Sequence, residues 1–273
     1  MSIRTVTPRQ WGTLMLVTAA AGHATFATAE TTGHDHAPAP IVLAQATEGG
    51  EGGEGGEGGE AGAAAALGGD AAYLADLGFI EGHLRSGTTL YAEGEVAMAA
   101  THMKHPKDEI YTDLAPELEE RGQPGFADAL EALAANVEAG APVAQTDADF
   151  ADLLDQIDTA RGTPAPRAQF DALTVLARAA ADEYAIGVKD GQIDNLHEYQ
   201  DAWGFLQTVK ARAEALSGSD DAGVAKAAQD VLAAVAETDA AFDTLTPQGE
   251  VPGGSDLLYG AAARIELAAL SVK

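Results

Sequence analysis

The sequence predicts an all-α protein: an antiparallel bundle of about eight helices, preceded by a leader and a flexible tether. Three observations carry this expectation. From Asp70 onward, apolar residues recur at steps of three and four, with hardly a strand-like alternation anywhere. Gly- and Pro-containing breaks punctuate that pattern at helix-length intervals. The chain of 273 residues has no cysteine, so a packed core has to hold the fold without disulfides.

The N-terminal segments have a different character. Arg4 and Arg9 precede the short apolar run Leu14 to Ala21, and Ala27-Thr28-Ala29 is a small-x-small cleavage site. Residues 1–29 therefore read as a signal peptide cut before Glu30. The apolar run is interrupted too early to span a bilayer. Residues 30–68 hold TTGHDHAPAP and four copies of Glu-Gly-Gly between Glu48 and Glu60. Glycine-rich and like-charged, they are expected to form a disordered tether, on which His34 and His36 can hold a metal ion only loosely.

Residues 69–273 carry the helical stripes, with two sub-layers expected at 69–140 and 147–273. Tyr73, Leu77, Ile80, Leu84 and Tyr91 form the first stripe, and Phe170, Leu173, Leu176, Ala180 and Tyr184 a later one. Tyr199, Trp203, Leu206, Val209, Ala213 and Leu216 follow. Val224 to Leu245 and Leu258 to Ala268 complete the series. Thr146, Ser255 and Asn195, the last with Glu198 three residues on, are expected N-caps. Asp190-Gly191 is expected to turn a helix pair that brings Tyr184 near Tyr199 and buries Trp203.

Composition narrows the chemistry. Fifteen Lys and Arg face 43 Asp and Glu, a net charge of −28. Such a surface repels nucleic acid and anionic lipid. Without cysteine, a metal has to be held by His, Met, Asp or Glu, and thiol nucleophiles and iron–sulfur clusters are excluded. A serine nucleophile motif, a phosphate-cradling glycine loop and a dinucleotide fingerprint are all absent from the sequence.

The chemistry concentrates in MAATHMKHPKDEIY, residues 98–111. On one straight helix, Glu95, Met98, His102 and His105 share an arc with Leu84 and Tyr91, which reads as core packing. Gly94 offers the other reading. A helix that ends at Gly94 and folds back as a hairpin sets His83 opposite His102 and His105. Pro106 is expected to stop the second helix, and Asp108 and Glu109 then lie close enough to add a carboxylate. His83, His102, His105, Glu109, Met98 and Met103 are the candidate ligands, for iron or copper, or for zinc. A second candidate, His197-Glu198 with Asp201, resembles the His-Glu-x-x-His zinc helix with Asp201 in the second histidine's place. His197 and Glu198 read more simply as capping residues there.

Two stretches bear a family resemblance. Leu77-Gly78 to Arg121, with Gly82-His83-Leu84, Gly94, His102, His105-Pro106 and Asp108 to Tyr111, resembles exported helical proteins of proteobacteria. Asp182-Glu183-Tyr184, Lys189-Asp190-Gly191, Asn195 and Glu198-Tyr199 to Phe205 are similar to periplasmic helical regions associated with high-affinity iron permeases, and to imelysin and EfeO-like bundles. The resemblance implies a periplasmic or secreted helical protein connected with iron or another transition metal. The leading expectation is thus a metal-binding accessory protein, not an enzyme, with a metal ion and a membrane permease as partners. A metal-free adaptor docking on a membrane partner is the alternative, and a metal-dependent hydrolase using Glu198 is a third reading.

Overall fold

Glycines and prolines cut the apolar periodicity into segments, and each segment closes into a helix whose apolar face needs a neighbour. The computed structural model describes residues 62–64 and 66–273. The expected signal peptide, and the tether up to residue 61, lie outside the described residues. The described residues contain nine α-helices: α1 (Gly69–Ala92), α2 (Val96–His105), α3 (Thr112–Glu120), α4 (Ala127–Glu138), α5 (Val143–Arg161), α6 (Pro166–Gly187), α7 (Leu196–Ser217), α8 (Ala222–Thr238) and α9 (Ser255–Leu270). A π-helical turn, Pro106–Tyr111, joins α2 to α3, and a 3-10 turn, Asp239–Ala241, follows α8. Just before α1, Ala64 is already packed into the core.

Helices α6 to α9 pack as a closed four-helix unit: α6 on α7 and α9, α8 on α7 and α9. The long helix α1 lies against α6 and α7 and also packs on α2 and α5, and α4 packs on α2 and α5. With neighbours on several sides, α1 buries residues on every face, including Glu81, His83 and Ser86. Each of these polar groups has a specific partner. Glu81 takes Arg85, Arg161 and Arg212, and the Ser86 hydroxyl donates to the Gln200 carbonyl at 2.8 Å.

One crossing sets the position of the site. A Cβ on Gly204 of α7 would lie 2.3 Å from the Gly82 carbonyl oxygen, and one on Gly82 would lie 2.4 Å from the Phe205 ring. These two glycines let the backbones of α1 and α7 touch. Their sequence neighbours, His83 and Phe205, then pack edge to face, with ring centroids 5.2 Å apart.

Several expectations need correction. Pro106 does not stop the helix: His105 keeps α geometry (φ −49, ψ −50), and the chain continues through the π-helical turn. Proline lacks a donor and crowds the carbonyl one turn back, and a wider turn accommodates both. Thr146 lies inside α5, its hydroxyl bonded to the Val143 carbonyl, and Pro142 holds the cap position. Ser255 is the first residue of α9, after Gly254. Asn195 is the N-cap of α7, accepting from the His197 amide at 3.1 Å.

Asp190-Gly191 does turn α6 into α7, and the Tyr184 and Tyr199 rings lie 5.8 Å apart. The turn carries a two-residue ladder, β1 (Val188–Lys189) with β2 (Gln192–Ile193), which the sequence reading did not include. Positive φ at Asp190 and Gly191 (52° and 75°) is the geometry of a tight hairpin turn. Trp203 is only half-buried, and Phe205, two residues on, takes the central place against Phe79. The stripe read as running to Leu245 ends as helix at Thr238. Phe242 instead packs from a loop onto Tyr184 and Tyr199.

Candidate metal centre

The chain reverses between α1 and α2 at Gly94, whose φ of 91° suits a residue without a Cβ. Folding back brings His102 and His105, three residues apart on α2, against His83 on α1. The His83 ring lies 6.2 Å from that of His102 and 6.1 Å from that of His105. From the other side α7 adds His197, whose ring stacks on His102 at 4.3 Å and sits 4.7 Å from His105. Four imidazoles thus form a closed ring of neighbours.

Asp201 reaches into that ring. Its Oδ1 lies 2.7 Å from His83 Nδ1 and 3.0 Å from His102 Nδ1, and its Oδ2 lies 3.0 Å from His197 Nδ1. His197 and Asp201 meet because positions four apart share a helix face. His83, His102 and Asp201 are all buried. Burial opposes ionisation of Asp201, but the neighbouring His83 and His102 outweigh it and hold its carboxyl well below the usual carboxylate range. For His197, burial disfavours the charged form, yet the bond to Asp201 and its charge prevail and raise the pKa.

Gln200 settles the tautomer of His102. The Gln200 side-chain Nε2 donates to the Leu245 carbonyl at 2.9 Å and points at Met98 Sδ at 3.4 Å. A carbonyl oxygen accepts only, so the amide cannot be turned the other way. Its Oε1 therefore faces His102 Nε2 at 2.9 Å and requires the proton there. A neutral ring then presents a lone pair on Nδ1 to the Asp201 carboxylate, whereas the imidazolium form that holds Asp201 ionised carries a proton on both nitrogens. His102 Nδ1 and Asp201 Oδ1 are both buried, 3.0 Å apart. Two lone pairs held face to face need a cation between them, either a proton or a metal ion.

The remaining candidates are less central. His105 is half-buried at the rim, with Glu109 Oε2 3.8 Å from its Nδ1. The π-helical turn keeps Glu109 on that side of the chain. Met98 meets the site at Gln200, whose Nε2 lies 3.4 Å from its Sδ. Met103 is buried between α1 and α2, where its methyl would be 2.9 Å from a Cβ on Gly87. Sequence reasoning assigned His197 to capping and left Asp201 out of the ligand set. The signal for both was the His197–Asp201 spacing of four on a helix whose residues 198–202 are consecutively buried. Glu198 lies beside them, held by the Asn195 amide at 3.3 Å.

The donor set and its burial suit a divalent transition ion. Residues 159–266 match the iron permease-associated 4-helix bundle domain. That span opens in the last turn of α5 and takes in α6, α7, α8 and most of α9, the closed four-helix unit. Neither a curated protein nor a solved structure matches the chain. That domain takes its name from its association with an iron permease. It contains His197, Gln200 and Asp201, whereas His83, His102 and His105 come from the hairpin outside it. No helix among the described residues is long and apolar enough to cross a membrane.

Proposed function

We propose that this protein is an exported accessory of an iron permease that binds ferrous iron between the α1–α2 hairpin and α7. One observation carries the reading: His83 Nδ1, His102 Nδ1 and Asp201 Oδ1 converge in a buried space, with the His102 tautomer fixed by Gln200. Two imidazoles and one carboxylate on one side of an ion, with other positions open, are the ligand set that favours iron(II). The spacing agrees. Ligands at about 2.0–2.1 Å from an ion stand about 2.9 Å apart at octahedral angles and about 3.4 Å apart at tetrahedral ones. The 2.7 and 3.0 Å separations here are of that size, which is also the length of a hydrogen bond, so the donor set and not the spacing favours iron. The open positions and the half-buried rim at His105, Glu109 and His197 let an ion enter and leave, as a carrier requires.

Anaerobic titration of the full chain with iron(II), against a competing chelator, tests this reading. Asp201→Asn, His83→Ala and His102→Ala should each weaken iron binding by at least about 100-fold, the scale on which losing a ligand acts, with helix content by circular dichroism nearly unchanged. Iron affinity equal to that of the parent in all three variants would refute the site.

A further inference from the structure

We infer that the site is dinuclear: Asp201 bridges two divalent transition ions, one on each carboxylate oxygen. The inference rests on the iron-site reading above and extends it to a second ion. The first ion takes His83, His102 and Oδ1. The second takes His197, Glu198 and Oδ2, a set of donors that can all come within 4.8 Å of one another.

Two independent observations support the second position. The His102 and His197 rings are stacked nearly parallel, 4.3 Å apart and 6° from coplanar. Each presents Nδ1 at 3.0 Å to a different oxygen of the same carboxylate. Ions held in the planes of two parallel rings are separated by roughly the ring spacing, and two-metal sites hold their ions about 3.5–4 Å apart. Second, Asn195, which caps α7, also holds the Glu198 carboxylate, so the second position has an orienting neighbour as Gln200 orients the first.

The division follows the architecture. The second position lies wholly on α7, inside the iron permease-associated bundle, while the first needs the hairpin as well. The hairpin thus converts a three-donor position on one helix into a bridged pair.

Manganese(II), added anaerobically to the full chain, is a suitable probe because each ion carries an electron spin. The chain should carry His34→Ala and His36→Ala so that the tether does not add to the count. Elemental analysis should find two ions per chain, and electron paramagnetic resonance should show an exchange-coupled pair. Glu198→Gln, close in shape to the parent residue, should reduce the count to one, with an uncoupled six-line signal and the first affinity changed by less than about 10-fold. One uncoupled ion in the parent, or two uncoupled ions that survive Glu198→Gln, would overturn the bridge while leaving the iron site standing. No binding of either manganese(II) or iron(II) would remove both readings.

Discussion

Gln200 touches no candidate ion, yet it decides which nitrogen of His102 faces Asp201. Its amide is locked by the Leu245 carbonyl, so the proton on His102 Nε2 is fixed before any ion arrives. Gln200→Leu should preserve the fold but release the tautomer, lowering iron affinity about 10–100-fold, the usual effect of losing an orienting neighbour. Chelator competition measures this, and an unchanged affinity would mean that the tautomer is set elsewhere. A second consequence concerns pH. The His197 pKa is raised in the folded state, so its contribution to stability is complete below the unfolded value of about 6.5 and is lost as pH rises through the folded one. Asp201 works in the opposite sense: its contribution is present above about 3.9 and is lost as pH falls through its depressed value. The metal-free protein should therefore melt at a higher temperature at pH 6 than at pH 8, and His197→Gln should shrink the difference. Iron, which needs neutral imidazoles, should bind more weakly at pH 6. A metal-free melting temperature that climbs from pH 6 to pH 8 would count against the assigned pairing.

At the scale of elements, the site depends on how closely α1 approaches α7. Gly82 and Gly204 remove two side chains at the crossing, immediately beside His83 and Phe205. Gly204→Ala would force a methyl against the Gly82 carbonyl and the Ser86 hydroxyl, where backbone has to yield. Overpacking of this kind costs about 1–3 kcal/mol. It should also weaken iron binding by moving His83 away from Asp201, although residue 204 touches neither. Calorimetry and titration of the same variant test both effects, and a neutral substitution would show that the helices have slack. Much at this scale was legible in the sequence. Gly94 announced the hairpin that pairs His83 with His102, Asp190-Gly191 announced the α6–α7 turn, and Asn195 announced the start of α7. The π-helical turn was not legible, because the rule that proline ends a helix assumes that the turn cannot widen. Trp203 was misjudged for a related reason. Size and stripe position favoured it, but on a helix with buried residues on several faces, Phe205 points at α1.

For the whole molecule, the division between the two layers matters most. The closed unit α6 to α9 supplies Asp201, His197 and the locked Gln200, and α1 with α2 supplies the other imidazoles. Local patterning showed the hairpin half of the site, since His83, His102 and His105 stand on either side of Gly94. It could not show that Asp201, some 100 residues further on, completes the set, because that contact exists only once α1 lies on α7. The acidic composition, by contrast, says little about the site, which gathers four imidazoles around one buried carboxylate. The most direct test of this account is iron K-edge X-ray absorption on the anaerobically loaded full chain carrying His34→Ala and His36→Ala. The account predicts a six-coordinate iron(II) edge with the outer-shell scattering of at least two imidazoles, lost in Asp201→Asn. A first shell of oxygen alone, with no imidazole scattering, would contradict it.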